Sequence, residues 1–542
     1  MPVLQSSIDP HSDVFQANRA AQLRLIAEFR AAEQRVRDNS ARQADKFAKR
    51  GQLLPRDRVA RLLDRGTPFL ELSTLAGLGM HDDDGRGDTS GGGCIIGIGF
   101  VSGVRCIVSA SDSAIKGGAV SPMGLKKSLR AQEIALEQRL PLISLVESAG
   151  ANLMYQAEIF VDGGRVFANM ARLSAAGIPQ ITVVHGSSTA GGAYLPGLSD
   201  YVIAVRGQAK VFLAGPPLVQ AALGEVADDE SLGGAELHAT VTGTAEYIAE
   251  NDAHAIHLAR ELMANIARSP LADLGDARAP RPHKPPRFDV EELLGIVPVD
   301  FKKPYDVREV IARLVDDSDF LEFKALYGAQ TVCGHATIEG HAVGILGNNG
   351  PINPDGATKA GQFIQLCCQS GTPLVFLQNT TGYMVGTAAE RAGMVKHGSK
   401  MIQAVANADV PKLTVILGGS FGAGNYGMCG RSYDPRFIFA WPGSRIAVMG
   451  GEQAAKVMEI LNVAKLERQG LKVDAAAMAQ MGKSIKDRLD AESTALYATA
   501  HLWDDGIIDP RDTRRVLAEA LAICREAEVR RLRPNSFGVA RL

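Results

Sequence analysis

The chain has 542 residues, with 58 Lys and Arg against 60 Asp and Glu, and its formal net charge of −2 gives no electrostatic case for a nucleic-acid partner. Its 46% hydrophobic content is that of a globular protein, the length exceeds one ordinary core, so that two domains are expected, and no apolar run reaches the roughly 18–20 residues of a membrane span. The opening MPVLQSSIDPHSD has no basic start or apolar signal core, and seven cysteines without a Cys-x-x-Cys pair suit a reducing compartment, so a cytoplasmic protein with no metal site is expected.

Phe15 to about Arg65 is charged, rich in Ala, Leu and Arg, and helical in spacing, with Lys46, Lys49, Arg50, Arg56 and Arg58 near its end. It reads as a solvated helical arm or an oligomer contact, residues 1–65. A first domain over 66–272 follows. Ile95 to Val101 and Val104 to Ala110 are apolar runs around Ser102-Gly103, a β-hairpin signature. A Gly-rich loop carries Lys116-Gly117-Gly118, and Leu125 to Gln138 is an amphipathic helix with Lys126, Lys127 and Arg130 on its polar side. Leu142 to Val146 is a strand ending at Glu147-Ser148-Ala149-Gly150-Ala151-Asn152. After another helix, Ile181 to Val184 is a buried strand, taken to break at His185 to Thr189. Ala190-Gly191-Gly192-Ala193-Tyr194 then opens a helix. Two glycines there weaken it by roughly 1 kcal/mol each relative to alanine. They leave a backbone open to close approach, with unpaired N–H groups that can hold an oxyanion without a charged side chain. A tight strand-to-helix packing turn would use the same residues. Tyr201 to Val205 and Val211 to Leu213 are further strands. Residues 273–290, rich in Pro, Arg and Asp and without periodicity, are the linker candidate.

The segment 291–542 replays the first domain. Val332 to Ile338 and Ala342 to Leu346 flank Glu339-Gly340, Lys359 to Ser370 is helical, and Thr372 to Leu377 is a strand leading into Asn379-Thr380-Thr381-Gly382. Leu413 to Leu417 then meets Gly422-Ala423-Gly424-Asn425-Tyr426, which repeats the earlier glycine turn. The turns are offset by 422 − 190 = 232, and Pro373 lies the same 232 residues beyond Pro141. Two elements sharing one offset indicate an internal duplication with repeated β-β-α layering.

Two copies of an oxyanion-binding turn suit a reaction with two developing oxyanions. Enolisation of an acyl thioester makes one; release of a carboxyl group from a urea-type carrier such as biotin makes the other, and the freed carrier nitrogen can act as base. Rival signatures fail. Gly186-Ser187-Ser188-Thr189-Ala190 misses the last glycine of Gly-x-Ser-x-Gly, and Gly97-Ile98-Gly99 is followed by Ser102 where a dinucleotide fingerprint needs glycine. Walker A and His-Glu-x-x-His are absent. His185 is read as structural.

SSTAGGAYLPGLSDY, FLAGPPLVQAALGE, LGGAELHATVTG, NTTGYMVG, GGSFGAGNYGMCGRSYDPRFIFAWP and DDGIIDPRDTRRVL together resemble the carboxyltransferase (β) subunits of biotin-dependent acyl-CoA carboxylases, in the methylcrotonoyl-CoA and geranyl-CoA carboxylase branch. The resemblance runs from about Phe69 to Arg515. It implies an α/β fold of two tandem crotonase-type (ClpP-like) β-β-α superhelix domains with a helical N-terminal arm. The N-terminal domain would take acyl-CoA and the C-terminal one carboxybiotin, with the site at a dimer interface. Carried over by motif, Gly191 and Gly192 would hold the thioester enolate oxygen, and Ala423 and Gly424 the biotin ureido oxygen. Gly150 and Ala151 would line the thioester path, Asn379, Thr380, Thr381 and Gly382 the biotin side, and Tyr426 would tune acyl selectivity. Lys116, Lys126, Lys127 and Arg130 are candidates for the CoA phosphates, with a solvated helix face as the alternative. The chain carries neither Ala-Met-Lys-Met nor an ATP-binding half. A partner α subunit with biotin carboxylase, using ATP and bicarbonate, and with the biotin carrier is therefore expected, in an α6β6 assembly around a β6 core.

Methylcrotonoyl-type relatives usually end an acidic-basic stretch with Phe-Gly-Arg where this chain has Val161-Asp162-Gly163-Gly164-Arg165. Gly163 at the phenylalanine position makes room for methylenes, each worth roughly 0.8 kcal/mol when buried. A branched 2-enoyl-CoA of geranyl type, carboxylated at the γ-carbon in terpene catabolism, is thus expected over 3-methylcrotonoyl-CoA of leucine catabolism. A non-catalytic CoA-binding scaffold on the crotonase fold, or a decarboxylase using the same core with a membrane partner, are the competing readings.

Overall fold

The computed structural model describes residues 2–82, 85–267, 280–471 and 473–540; positions 273–279 of the expected linker lie outside them. The chain divides into two compact units. The first comprises Ala31–Ala279, Ala500–Leu502 and Ile523–Leu542. The second comprises Met1–Arg30, Pro280–Thr499 and Trp503–Ala522.

In the first unit, β1 (Leu70–Glu71), β2 (Cys94–Val101), β3 (Val104–Ser111), β4 (Leu142–Ser148), β5 (Gln180–Thr189), β6 (Tyr201–Val205) and β8 (Tyr247–Ala249) lie in that order across one sheet, and β7 (Lys210–Phe212) pairs with the end of β5. β2 and β3 form the expected hairpin, turning at Ser102 and Gly103 with φ of 53° and 75°, the pair of positive angles that matches strand twist in a two-residue turn. From β3 to β6 the pairing is parallel. Buried between helices and neighbouring strands, these segments read as continuous apolar runs rather than alternating ones.

The second unit repeats the plan. Its sheet runs β14 (Phe437–Ala440), β13 (Lys412–Phe421), β12 (Leu374–Thr380), β11 (His341–Asn348), β10 (Thr331–Ile338), β9 (Leu321–Glu322), with β15 (Arg445–Ala447) paired to β13. The register is duplicated residue for residue. Ile107 pairs with Leu142 in the first unit as Gly344 pairs with Leu374 in the second. Both copies have an irregularity before the last pair, between Val146 and Ser148 and between Gln378 and Thr380. The helices Pro122–Glu137 and Pro354–Ser370 also correspond: each starts on proline behind a polar cap, Ser121 or Asn353, whose side chain accepts from the N–H three residues on.

Two expectations change. β5 does not break at His185: it continues to Thr189, because Ser187 to Thr189 find a pairing partner in β7, which outweighs the weak strand preference of Gly and Ser. The N-terminal arm is helical, as Asp13–Ala41, Ala44–Lys49 and Pro55–Leu62, yet it is not simply solvated. In the second unit Phe15 packs so closely on Gly295 that a Cβ there would sit 2.3 Å from the ring, and in the first unit Arg58 is buried.

Candidate functional site

Each unit places one glycine turn at the end of its longest strand. β5 ends with Thr189 extended, then Ala190 at φ 51° begins the 3-10 turn Ala190–Ala193. β13 ends with Phe421 extended, then Gly422 at φ 52° begins the helix Gly422–Gly427. The left-handed residue thus falls at the same position of both copies. Glycine adopts it freely, while alanine pays roughly 1–2 kcal/mol, strain of the kind retained where local geometry is needed. Neither Thr189 nor Phe421 caps the turn with its side chain. Gly191 and Ala423 are exposed, and Gly192 and Gly424 are buried one residue further in.

The glycines are dictated by their surroundings. A Cβ on Gly192 would lie 3.3 Å from the side chain of Ser148, and one on Gly424 would lie 2.7 Å from the Cα of Gly382. The second wall of each turn is the loop after the preceding strand. Val120 bridges to Ala151 as Ile352 bridges to Tyr383, and Gly150 and Gly382 adopt φ of 87° and 119°. The N–H of Gly150 donates to Ser148 Oγ and that of Gly382 to Thr380 Oγ1, each at 3.2 Å. A Cβ on Gly150 would stand 3.5 Å from that of Ala190, so Gly150 belongs to the first turn and Gly382 to the second.

Of the other expected positions, Asn379 turns inward, its Oδ1 accepting from Gly419 N–H at 2.9 Å. Thr381 is exposed and lines a pocket of about 680 Å³ with Phe301, Phe421, Arg445 and Met449. Tyr426 is 43% exposed and stacks on Tyr433, centroids 5.6 Å apart. Gly163 sits in the helix Gln156–Ala175, and beyond its own helix backbone and chain neighbours no described residue comes within 4 Å of where its Cβ would stand. Lys116 lies 3.8 Å from Asp88, Lys126 is exposed, and Arg130 pairs with Glu133 at 2.6 Å. Lys127 corrects the sequence reading. It is buried, its Nζ donates to the carbonyls of Gly91 at 3.2 Å and Cys94 at 2.9 Å, and burial lowers its pKa, so it fastens a loop instead of facing a phosphate.

A buried charge network that sequence reasoning missed underlies the first turn. Asp252 accepts from His185 Nδ1 at 2.8 Å, from Arg58 Nε at 2.9 Å and from the N–H of Leu53 at 2.8 Å. Arg58 also reaches Glu147 at 3.0 Å, and Ser113 Oγ donates to the same carboxylate at 2.7 Å. Burial lowers the His185 pKa against the upward pull of Asp252. Burial raises that of Asp252, but its His185 and Arg58 contacts hold it below the ordinary carboxylate value. His185 is fully buried, so its role is to fix β5 beneath the turn, in keeping with its structural reading.

A family model described as the carboxyl transferase domain matches residues 46–538. The chain belongs to the carboxyl transferase family. This carboxyltransferase is 48% identical over 535 residues, covering 96% of this chain and 92% of its relative, to the probable methylcrotonoyl-CoA carboxylase beta chain, mitochondrial, of Drosophila melanogaster. It is 47% identical over 542 residues, the full length of both chains, to a probable biotin-dependent acyl-coenzyme A carboxylase beta2 subunit of Mycobacterium tuberculosis. The solved beta subunit of Pseudomonas aeruginosa geranyl-CoA carboxylase matches it at TM-score 0.93 and 61% identity over 100% of both chains. The carboxyltransferase is thus a β subunit of the biotin-dependent acyl-CoA carboxylase type, and its two units have the expected crotonase-type layering.

Proposed function

We propose that this carboxyltransferase moves a carboxyl group from carboxybiotin, held on a partner α subunit, to the γ-carbon of a branched 2-enoyl-CoA of geranyl type. The open space around Gly163 carries this reading: a phenylalanine in that place would fill a volume that the extra carbons of a long acyl chain need. The solved geranyl-CoA carboxylase beta subunit, at 61% identity, supports it. The methylcrotonoyl-CoA carboxylase beta chains at 45–48% identity favour the second reading, 3-methylcrotonoyl-CoA.

In the proposed reaction, the N–H groups of Gly191 and Gly192 take the thioester oxygen as it gains charge, and those of Ala423 and Gly424 take the ureido oxygen. Backbone donors of this kind, fixed before the reaction, need no reorganisation as charge develops. Gly150 and Ala151 border the thioester. Thr381 would border the biotin ring, and the pocket of about 680 Å³ that it lines with Phe421 is large enough to take it; Thr380 and Gly382 would shape that side from behind, and Asn379 acts through β13. When bound, carboxybiotin supplies the carboxyl group and then the base. Conjugation carries the enolate charge to the γ-carbon. Lys116, Lys126 and Arg130 remain the candidates for the CoA phosphates, and Tyr426 for acyl selection. The partner would charge biotin with ATP and bicarbonate, in a cytoplasmic α6β6 assembly on a β6 core.

The test is Gly163→Phe, assayed with the partner. The five extra carbons of geranyl-CoA are worth up to about 4 kcal/mol, so its kcat/KM should fall by as much as about 10³-fold while 3-methylcrotonoyl-CoA is kept or improved. Unchanged selectivity would defeat the geranyl assignment.

A further inference from the structure

The duplication allows each unit's core to be compared with its copy. In the second unit Leu346 of β11 and Phe376 of β12 are register partners, both fully buried, and Phe363 and Ile364 of the helix Pro354–Ser370 are fully buried above the sheet. The corresponding residues of the first unit are Ser109 and Ser144, again register partners, and Ala131 and Gln132 of the helix Pro122–Glu137. Four positions that hold large apolar side chains in one copy hold small or polar ones in the other. The result is a cleft of about 120 Å³ that reaches the sheet. Ser109 and Ser144 are only half-buried, although they lie on central strands.

The cleft lies between Ser148, which backs the first turn, and the inner face of the helix Gln156–Ala175. Ser148, whose side chain would meet a Cβ on Gly192 at 3.3 Å, forms part of its wall. Val166 and Met170 form another part, and with Gly163 they are spaced i, i+3, i+7, one face of the helix Gln156–Ala175. The size is close to the roughly 150 Å³ of an engineered cavity that takes benzene, and so fits a five-carbon hydrocarbon end. Serine at 109 and 144 keeps the strand surface low and tolerates water while the cleft is empty.

We infer that this cleft takes the distal five-carbon end of the acyl chain, and that Ser144 and Ser109, by their small size, set the longest chain accepted. This rests on the proposed function and extends it from the entrance at Gly163 to the floor of the pocket.

The test copies the duplicate residue into the first unit as Ser144→Phe, in the enzyme assembled with its partner. The expected result is a fall of at least about 100-fold in kcat/KM for geranyl-CoA, with 3-methylcrotonoyl-CoA within about threefold of wild type. Equal losses on both substrates in a folded variant, or no loss on either, overturn the inference. Ser144→Cys decides the matter without turnover, and independently of whether the phenylalanine variant folds. Its thiol is modified with methyl methanethiosulfonate and followed by mass spectrometry of the peptide. Protection by geranyl-CoA but not by 3-methylcrotonoyl-CoA supports the inference; equal protection, or none, overturns it. Failure of the wild-type enzyme to carboxylate geranyl-CoA would instead count against the proposed function, so the two failures are separable.

Discussion

Ala423→Pro removes one backbone donor from the second turn and leaves the rest of the turn in place. Ala423 is exposed, in the first turn of the helix Gly422–Gly427, where proline fits because its missing N–H has no intrahelical partner. The residue before it is glycine, which adapts best to a following proline. Folding should therefore change little. If that N–H steadies the ureido oxygen, its loss should cost about 2.7–4 kcal/mol of transition-state stabilisation, a fall of about 10²–10³ in kcat. Ala423→Gly keeps the N–H and should stay within about threefold of wild type. The assay is incorporation of labelled bicarbonate into acyl-CoA by the enzyme with its partner, alongside thermal midpoints of both variants. Undiminished kcat in a folded Ala423→Pro enzyme would refute the backbone-donor reasoning; equal losses in both variants would show that bulk at the turn, not the donor, matters.

The remaining predictions concern the framework. Asp252→Ala strips one of the two counter-charges from buried Arg58, leaving Glu147, and takes the acceptor from His185, and should destabilise the protein by about 3 kcal/mol, read by denaturant unfolding. Burial raises the Asp504 carboxyl to about 7 against an unfolded value of 3.8, so the folded state holds a proton that the unfolded state releases. That contribution is complete below about pH 4 and lost as pH rises through 7, by up to about 4 kcal/mol from the size of the shift. Asp504→Asn should therefore gain stability over wild type progressively from pH 4 to 7 and level off above; a gain that shrinks with rising pH would show the sign to be wrong.

Much of the fold was legible because its strands are apolar runs bounded by turn residues, and because a constant offset of 232 exposed the duplication. The hairpin turn at Ser102-Gly103 and the turn at Ala190 to Tyr194 were readable from local chemistry alone. The continuation of β5 through His185 to Thr189 was not: the pairing of its end depends on β7, whose partners Lys210 to Phe212 each lie 23 residues further along, and no local preference encodes it. Lys127 and Arg58 misled for a related reason. A cationic residue at helical spacing looks solvated until the carbonyls of Gly91 and Cys94, or the carboxylates of Asp252 and Glu147, are seen around it. The cleft at Ser109 and Ser144 was hidden because serines in a strand read as polar interruptions, and only their fully buried counterparts Leu346 and Phe376 show what volume is missing.

The most direct measurement is the ATP- and bicarbonate-dependent carboxylation of geranyl-CoA, 3-methylcrotonoyl-CoA, propionyl-CoA and acetyl-CoA by the wild-type chain purified with its biotin-bearing partner. Product is expected from the branched enoyl thioesters, with the highest kcat/KM on geranyl-CoA and none without ATP. Preferred carboxylation of acetyl-CoA or propionyl-CoA, or an inert complex with a fully biotinylated partner, would contradict that expectation.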